Sequence, residues 1–284
     1  MLVHTNTQVK NEGPLLEYTL KIWKDYPVDS FIFFNDCSTD NTVEIIKDIL
    51  TDRAVLLNKE AGDYLEGSNR ADMLEYSRKA KAELVFSIDA DELFTQALVD
   101  KFEEVTPAMK EHRVMLPQYN VVGSLRQIRT DPLYANNAPR DFAFPMAYTH
   151  PFHETHLKGM KALKGRHKTP RTPPISKPPV SFNDSAIGFV HLQALNIKFY
   201  ALKQLYYKIN DYHENGTPLK EINSRYDHAT NLLNFNYVPA PKNVIGNWSI
   251  DPACFDKIAE YRKYKEYINT HKVDELITFG EQYL

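Results

Sequence analysis

The sequence predicts an α/β fold in which a mostly parallel, twisted sheet is flanked by helices and followed by a helical C-terminal region. First, short apolar runs alternate with helical patterns in the early part of the chain, which is typical of parallel sheets. Second, polar turns close these apolar runs. Third, aromatic and aliphatic residues recur at helical spacing near the end of the chain. With 284 residues and 43% hydrophobic content, the chain can form one large domain or two small ones.

Four strands and their connecting helices are predicted before residue 92. Alternation over residues 2–9 predicts the first strand, and Pro14 suits the first turn of the helix that follows. The continuous apolar run at 30–34 predicts a buried second strand. The remaining elements are a helix within 43–50, a strand at 54–57, a helix at 71–82 and a strand at 84–88.

The periodic patterns are weaker in the middle of the chain. Residues 165–179 are rich in proline, which excludes a helix and favours an extended or mobile loop. Beyond residue 92, the predicted elements are helices at 97–105, 197–212, 256–267 and 273–283 and strands at 114–117 and 187–192.

Composition excludes several classes of protein. The formal net charge of −3 does not suggest a general nucleic-acid binder. The two cysteines, Cys37 and Cys254, cannot form a disulfide framework or a metal-binding cysteine motif. The N-terminus has no basic start before an apolar run, and no apolar stretch is long enough to span a bilayer. We therefore expect a cytoplasmic protein without a transmembrane segment, which a membrane-bound acceptor could recruit as a peripheral protein.

Two carboxylates stand one residue apart directly after the fourth predicted strand. Asp89 and Asp91 follow an apolar run, so they lie at the carboxyl end of a strand, where open α/β sheets place their ligands. Crowded carboxylates repel each other, and a divalent cation relieves that repulsion. Mg²⁺ and Mn²⁺ favour oxygen ligands and leave positions for substrate phosphates. A second polar turn, at 35–41, opens onto the same edge, and together the two turns favour a nucleotide-diphosphate site.

Four short motifs occur in an order that resembles family 2 glycosyltransferases of the GT-A fold, a Rossmann-like fold. The motifs are Lys10-Asn11-Glu12, Phe34-Asn35-Asp36-Cys37-Ser38-Thr39-Asp40-Asn41-Thr42, Gly67-Ser68-Asn69-Arg70 and Ile88-Asp89-Ala90-Asp91-Glu92. The resemblance is good over residues 3–95 and looser over 96–200. It implies a nucleotide-sugar-binding half at 1–95, an acceptor-binding half at 96–195 and a helical extension at 196–284.

The resemblance assigns the first two motifs to a nucleoside pocket. Glu12 and Asp36 would contact the base and the ribose, and Ser38 and Asp40 would line the same pocket. Each residue also has an alternative role. Asp36, Ser38 and Asp40 are residue types that close turns and cap helices, and Glu12 can complement the dipole of the first helix.

The remaining motifs are assigned to the diphosphate and its metal ion. Asp89 would face the ribose or diphosphate and share a Mn²⁺ or Mg²⁺ ion with Asp91. Arg70 would lie near the diphosphate or orient the acidic pair, unless it is simply a solvated helix residue. His191, in the segment Gly188-Phe189-Val190-His191 that also resembles the family, would be a metal or diphosphate ligand, unless it is a core histidine.

The family transfers sugars with inversion, which requires one carboxylate base beside the acceptor hydroxyl. Glu154, in the segment His150-Pro151-Phe152-His153-Glu154-Thr155-His156, is the first candidate, with Asp184 and Asp141 as weaker ones. His153 and His156 are three residues apart, which is not the spacing of the His-Glu-x-x-His zinc helix and argues against a hydrolytic zinc site.

The resemblance therefore implies a metal-dependent, inverting glycosyltransferase that uses a nucleotide-diphosphate sugar. The acceptor would be a hydroxyl group on a glycan, a lipid-linked sugar or a protein. Two other functions stay open from the sequence. A sugar nucleotidyltransferase has a similar sheet, although residues 2–13 lack its glycine-rich loop. A non-catalytic sugar- or nucleotide-binding module would keep the fold without the transfer reaction.

Overall fold

The computed structural model describes residues 1–59, 66–130, 140–150, 173, 175–182, 184–214, 216–230 and 236–271. It confirms the predicted α/β architecture with its helical C-terminal region. The strands are β1 Val3–Val9, β2 Ser30–Asn35, β3 Ala54–Asn58, β4 Leu84–Ser87, β5 Glu92–Phe94, β6 Arg113–Leu116, β7 Gln118–Val122, β8 Ser124–Arg129, β9 Arg140–Pro145, β10 Pro179–Ser181, β11 Phe189–Ala194 and β12 Tyr237–Pro239. The helices are α1 Gly13–Trp23, α2 Thr42–Leu50, α3 Glu66–Lys79, α4 Gln96–Asp100, α5 Phe102–Glu111, α6 Ile197–His213, α7 Leu219–Thr230 and α8 Ala259–Thr270.

The main sheet has seven strands in the order β10-β6-β9-β4-β1-β2-β3. The four strands from β4 to β3 are parallel, as the alternation of apolar runs and helices predicts. Strand β9 is antiparallel to both of its neighbours. Strands β1, β2 and β4 are mostly buried, and their carboxyl ends therefore meet at one edge.

A second sheet of five strands, in the order β12-β8-β7-β11-β5, was not predicted. Most of its pairings are antiparallel. Its strands are short, and β5 directly follows the acidic turn, so the sequence offered no separate apolar run to reveal it. Because β4 belongs to the main sheet and β5 to the second, the turn that contains Asp89 and Asp91 is the point where the chain passes between sheets.

Aromatic packing fixes the position of this turn against the first helix. The indole of Trp23, at the end of α1, lies nearly parallel to the rings of Phe31 and Phe33 on β2, at centroid distances of 6.1 and 6.2 Å. The indole Nε1 donates a hydrogen bond to the Glu92 carbonyl oxygen (3.1 Å). All three rings are fully buried, so one hydrophobic core supports both the parallel strands and the start of β5.

The C-terminal helices pack mainly through tyrosines. Tyr206 on α6 contacts the rings of Tyr264 and Tyr267 on α8, with centroids 4.6 and 5.0 Å apart. Buried aliphatic residues of α6, α7 and α8 complete a separate cluster. Within the described residues, no helix has both the length and the apolar character needed to cross a bilayer.

A few predicted boundaries differ from the structure. The helix predicted at 97–105 is divided into α4 and α5 at Lys101, which has non-helical backbone angles. Helix α3 begins at residue 66, earlier than predicted, because the polar residues of its first turn mask the helical pattern. The predicted helix at 273–283 and most of the proline-rich stretch at 165–179 lie outside the described residues.

Candidate functional site

Three polar turns follow the carboxyl ends of neighbouring parallel strands. They comprise residues 10–12 after β1, 36–41 after β2 and 88–91 after β4. Asn11 and Cys37 have positive φ angles of 54° and 57°. Such backbone conformations are uncommon outside glycine, and they cluster at functional sites. This edge of the sheet is therefore the candidate site.

Side chains of the second turn hold the first turn in place. The Asn11 N–H donates to Ser38 Oγ (3.0 Å), and the Gly13 N–H donates to Asp40 Oδ2 (3.1 Å). Asp40 Oδ1 also accepts from the Thr42 N–H (3.0 Å) at the start of α2. Both residues thus satisfy backbone donors, which is the role that their residue types commonly have at turns and helix starts.

Asp36 is buried between two lysines. Its side chain is 1% exposed, and its carboxylate oxygens lie 2.9 Å from Lys10 Nζ and 3.3 Å from Lys59 Nζ. Its backbone N–H donates to the Val9 carbonyl (2.9 Å). Because a buried carboxylate requires such partners, the lysines fix its orientation where β1 and β2 end.

The acidic turn is held by the residues on both sides of it. Glu92 is fully buried, and its Oε2 accepts from the Asp89 N–H (2.9 Å). The Leu192 N–H of β11 donates to the Asp91 carbonyl oxygen (2.7 Å). Arg70 is 6% exposed and lies 3.2 Å from Asp89 Oδ1, so it is a buried partner of the acidic turn and not a solvated helix residue.

Asp91 faces His191. The Oδ2 atom of Asp91 lies 3.4 Å from His191 Nε2. On the other side of the ring, His191 Nδ1 lies 2.9 Å from Asn120 Oδ1. The amide of Asn120 thus holds one ring nitrogen, and the other is directed at Asp91. This is the arrangement of a metal-binding histidine with a supporting hydrogen bond.

Glu12 lies within the electrostatic reach of the acidic turn. Burial raises the pKa of its carboxyl group well above its usual value, and the charges of Asp91 and Asp89 raise it further. The ammonium of Lys203, on α6, opposes this shift. The charges of Asp89, Asp91 and Lys203 thus all act on the carboxyl group of Glu12.

Glu260, on α8, interacts electrostatically with two residues of this edge, Asp40 and Lys10. Burial raises the pKa of its carboxyl group, the charge of Asp40 raises it further, and Lys10 lowers it. The Oε2 atom of Glu260 is buried and has no hydrogen-bond partner in the part of the chain that the structure describes.

The candidate bases have different positions. Glu154, the first candidate, lies outside the described residues, and so does the side chain of Asp141. Asp184 pairs with Lys101 at 2.7 Å, and this hydrogen bond lowers the pKa of its carboxyl group. A general base must accept a proton readily. Because Lys101 stabilises the ionised carboxylate, Asp184 is a poor candidate for the base.

Sequence reasoning gave no role to Asn120, which contacts the ring of His191, or to Lys203 and Glu260, whose charges act on Glu12. Each lies on a strand or helix that is distant in sequence from the four motifs. The aromatic helix pattern around residue 203 predicted α6 but carried no signal of which face meets the acidic turn.

The side chains at the acidic turn fit a divalent cation that has few protein ligands. Asp91 Oδ2 and His191 Nε2 converge, whereas Asp89 is paired with Arg70. Among the described residues, no group of three or more potential ligands is arranged to hold an ion. Mg²⁺-like ions often bind one or two protein side chains and take their other ligands from water and phosphate, so the donor set of Asp91 and His191 suits such an ion.

Comparison with known proteins gives one family match. The model of the family described as "Glycosyl transferase family 2" matches residues 7–159, which is more than half of the chain. This region includes Glu12, Asp36, Asp89 and Asp91. No match was found among curated proteins.

Solved structures show more distant similarity. TarS 1–349 of S. aureus in complex with UDP has a TM-score of 0.46 and 13% identity, covering 100% of this chain and 91% of that chain. The structure of TarS 1–349 gives 0.42 and 11%, covering 96% and 73%. Glucosyl-3-phosphoglycerate synthase from Mycobacterium tuberculosis, in complex with Mn²⁺, UDP-glucose and phosphoglyceric acid, gives 0.30 and 15%, covering 42% and 44%. At such low identity, the ligands bound in those structures do not identify a ligand for this chain.

Proposed function

This chain belongs to glycosyl transferase family 2 and is a glycosyltransferase, and we propose that it takes its sugar from a nucleotide-diphosphate sugar. The acceptor in this proposal is a hydroxyl group, and transfer inverts the configuration of the sugar. One observation carries the proposal: Asp91 faces His191 at 3.4 Å in the turn after β4, at the edge where β1 and β2 also end.

The turns after β1 and β2 would bind the nucleoside. Asp36 offers carboxylate oxygens to the base or ribose from a position fixed by Lys10 and Lys59. Glu12, in the turn after β1, would contact the base or the ribose, and burial raises the pKa of its carboxyl group. Ser38 and Asp40 contribute by holding these turns together.

The acidic turn would bind the diphosphate and its cation. Asp91 and His191 would hold Mn²⁺ or Mg²⁺, with Asn120 orienting the imidazole. When bound, the ion supplies positive charge that stabilises the departing diphosphate. Asp89, which is paired with Arg70, would orient the turn and face the ribose or diphosphate.

A carboxylate must remove the proton from the acceptor hydroxyl as the hydroxyl attacks, and we propose Glu154 for this step. We expect Glu154→Gln to slow transfer by about 10²–10⁴-fold, the usual contribution of a general base. Donor binding should be unchanged because glutamine keeps the size and hydrogen bonding of the side chain. Single-turnover rates measured at saturating donor test this expectation. A wild-type rate would assign the base to another residue.

Ligand-dependent melting tests the proposed donor class. A ligand that binds only the folded state stabilises it by RT ln(1 + [L]/Kd), about 2.7 kcal/mol at 100 times Kd. Among UDP-, GDP- and dTDP-sugars, we expect the donors with one of the three bases to raise the melting temperature in Mn²⁺. The same donors should raise it less in EDTA. Incubation with that donor and an acceptor should release the nucleoside diphosphate and not pyrophosphate. Equal melting curves with all donors would contradict the proposal.

A further inference from the structure

We propose that Glu92 and Gln118 are positioning residues, which together hold the acidic turn in the conformation that binds the cation. This inference rests on the proposed function and deepens it, because it assigns the support of the cation site to two buried side chains behind the proposed ligands. Both residues belong to the second sheet, Glu92 to β5 and Gln118 to β7.

The carboxylate of Glu92 reaches back to the start of the acidic turn. Its Oε2 accepts from the Asp89 N–H (2.9 Å), and the Glu92 N–H donates to the Asp89 carbonyl oxygen (3.0 Å). One residue thus holds both backbone polar groups of Asp89, and Asp91 lies inside the four-residue turn that these bonds close. The indole of Trp23 donates to the Glu92 carbonyl oxygen (3.1 Å), so the end of the turn is tied to the core.

Gln118 joins this carboxylate to a neighbouring strand. Its Nε2 donates to Glu92 Oε1 (3.1 Å), and Glu92 and Gln118 are 0% and 3% exposed. In the strand registers, His191 on β11 pairs with Glu92 on one side and with Asn120 on the other. Paired residues of neighbouring strands share a face of the sheet, and so do residues two apart on one strand. One face of the second sheet therefore carries these four side chains.

Strand β7 thus supports both proposed ligands of the cation. Through Gln118 it holds Glu92, and thereby the turn that contains Asp91. Through Asn120, whose Oδ1 lies 2.9 Å from His191 Nδ1, it holds the imidazole. An apolar side chain in place of Glu92 would avoid the desolvation cost of a buried carboxylate. The hydrogen bonds of Glu92 therefore point to a role in setting the turn.

Nucleotide binding with and without the cation tests the positioning role. The probes are UDP, GDP and dTDP, and calorimetry measures their affinities in Mn²⁺ and in EDTA. For the nucleotide that binds, we expect Gln118→Met to reduce the affinity in Mn²⁺ by about 10-fold, a usual effect of removing a residue that orients a metal ligand. The affinity in EDTA should stay at the wild-type value, because the proposal gives Gln118 no contact with the nucleotide.

Two further variants separate geometry from charge and from folding. Glu92→Gln keeps an oxygen for the Asp89 N–H, and the amide of Gln118 can rotate to offer its oxygen to the new NH₂ group. The gain in affinity from Mn²⁺ should therefore stay close to the wild-type value, and a loss as large as that of Gln118→Met would assign the effect to charge and overturn the positioning role. The double variant Glu92→Met/Gln118→Met removes both partners of the buried hydrogen bond, so it should fold and still show the loss.

Thr95→Ala is the matched control, because Thr95 ties the opposite end of β5 to the start of β11. Thr95 is also fully buried, and its Oγ1 accepts from the N–H groups of Leu98 (3.2 Å) and Gly188 (3.1 Å). This variant should lower the melting temperature but keep the wild-type gain in affinity from Mn²⁺. An equal loss of that gain in Thr95→Ala, or no loss in Gln118→Met, would overturn the positioning role.

Failure of the proposed function would be visible in the wild-type protein alone. If the wild-type protein binds none of the three nucleotides, the donor class is wrong. If it binds one of them equally well in Mn²⁺ and in EDTA, the cation is wrong. In either case the positioning role falls as well, whereas a wild-type gain that Gln118→Met retains rejects the positioning role and leaves the proposed function standing.

Discussion

Asp91→Ala should abolish sugar transfer and leave the fold intact. Asp91 and His191 converge at 3.4 Å, and removing the carboxylate removes half of the proposed protein ligand set for the cation. We expect the rate of nucleoside diphosphate release to fall by at least about 10³-fold, comparable to the loss of a group that stabilises developing charge. Stability should not decrease, because the backbone of the turn is held by Leu192 and the like charge next to Glu12 disappears.

The matched control is Asp48→Ala, which removes an exposed carboxylate from α2. It should retain wild-type activity. Donor turnover with and without Mn²⁺ and thermal melting of both variants provide the measurements. If Asp91→Ala keeps activity within about twofold of wild type, or if the wild-type protein turns over equally in excess chelator, the metal role of Asp91 is wrong.

Trp23→Ala should lower the free energy of unfolding by about 3–5 kcal/mol, the usual cost of removing a large buried aromatic side chain. Its indole is fully buried against Phe31 and Phe33, so the substitution leaves a cavity beneath β2. It also removes the donor to the Glu92 carbonyl oxygen, which anchors the residue directly after the acidic turn. We therefore expect donor affinity to fall as well, because Asp89 and Asp91 lose their rigid support.

Trp23→Phe separates these two effects. Phenylalanine retains much of the ring packing but has no N–H group, so it should cost less than half as much stability. Chemical denaturation followed by nucleotide binding in the folded range measures both quantities. A loss below about 1 kcal/mol for Trp23→Ala would show that the core relaxes around the missing ring and that the Trp23 contact is dispensable.

The parallel part of the fold could be predicted because its signals are local. Strands β2, β3 and β4 are apolar runs followed by polar residues, β1 has an alternating pattern, and Pro14 marks the start of α1. The positions of Asp89 and Asp91 follow from the same rule, since a parallel strand places the residues after it at the carboxyl edge of the sheet.

The remaining features depend on contacts between distant parts of the chain. Strand β7 pairs with β11 and thereby brings Asn120 beside His191, but neither strand has a sequence signal for that pairing. Lys203 is one basic residue in a largely aromatic helix, and nothing in the local pattern predicts that its charge acts on Glu12. Single-sequence patterns do not contain this information.

The junction between the two sheets has a consequence for engineering. Strand β4 requires β9 beside it, and β5 requires β11, so a cut near residue 95 would expose two unpaired strand edges on the N-terminal fragment. Exchanging the first 95 residues with those of a relative, in the hope of changing the donor alone, would therefore replace partners in both sheets. Changing donor preference by point substitutions in the turns is the safer route.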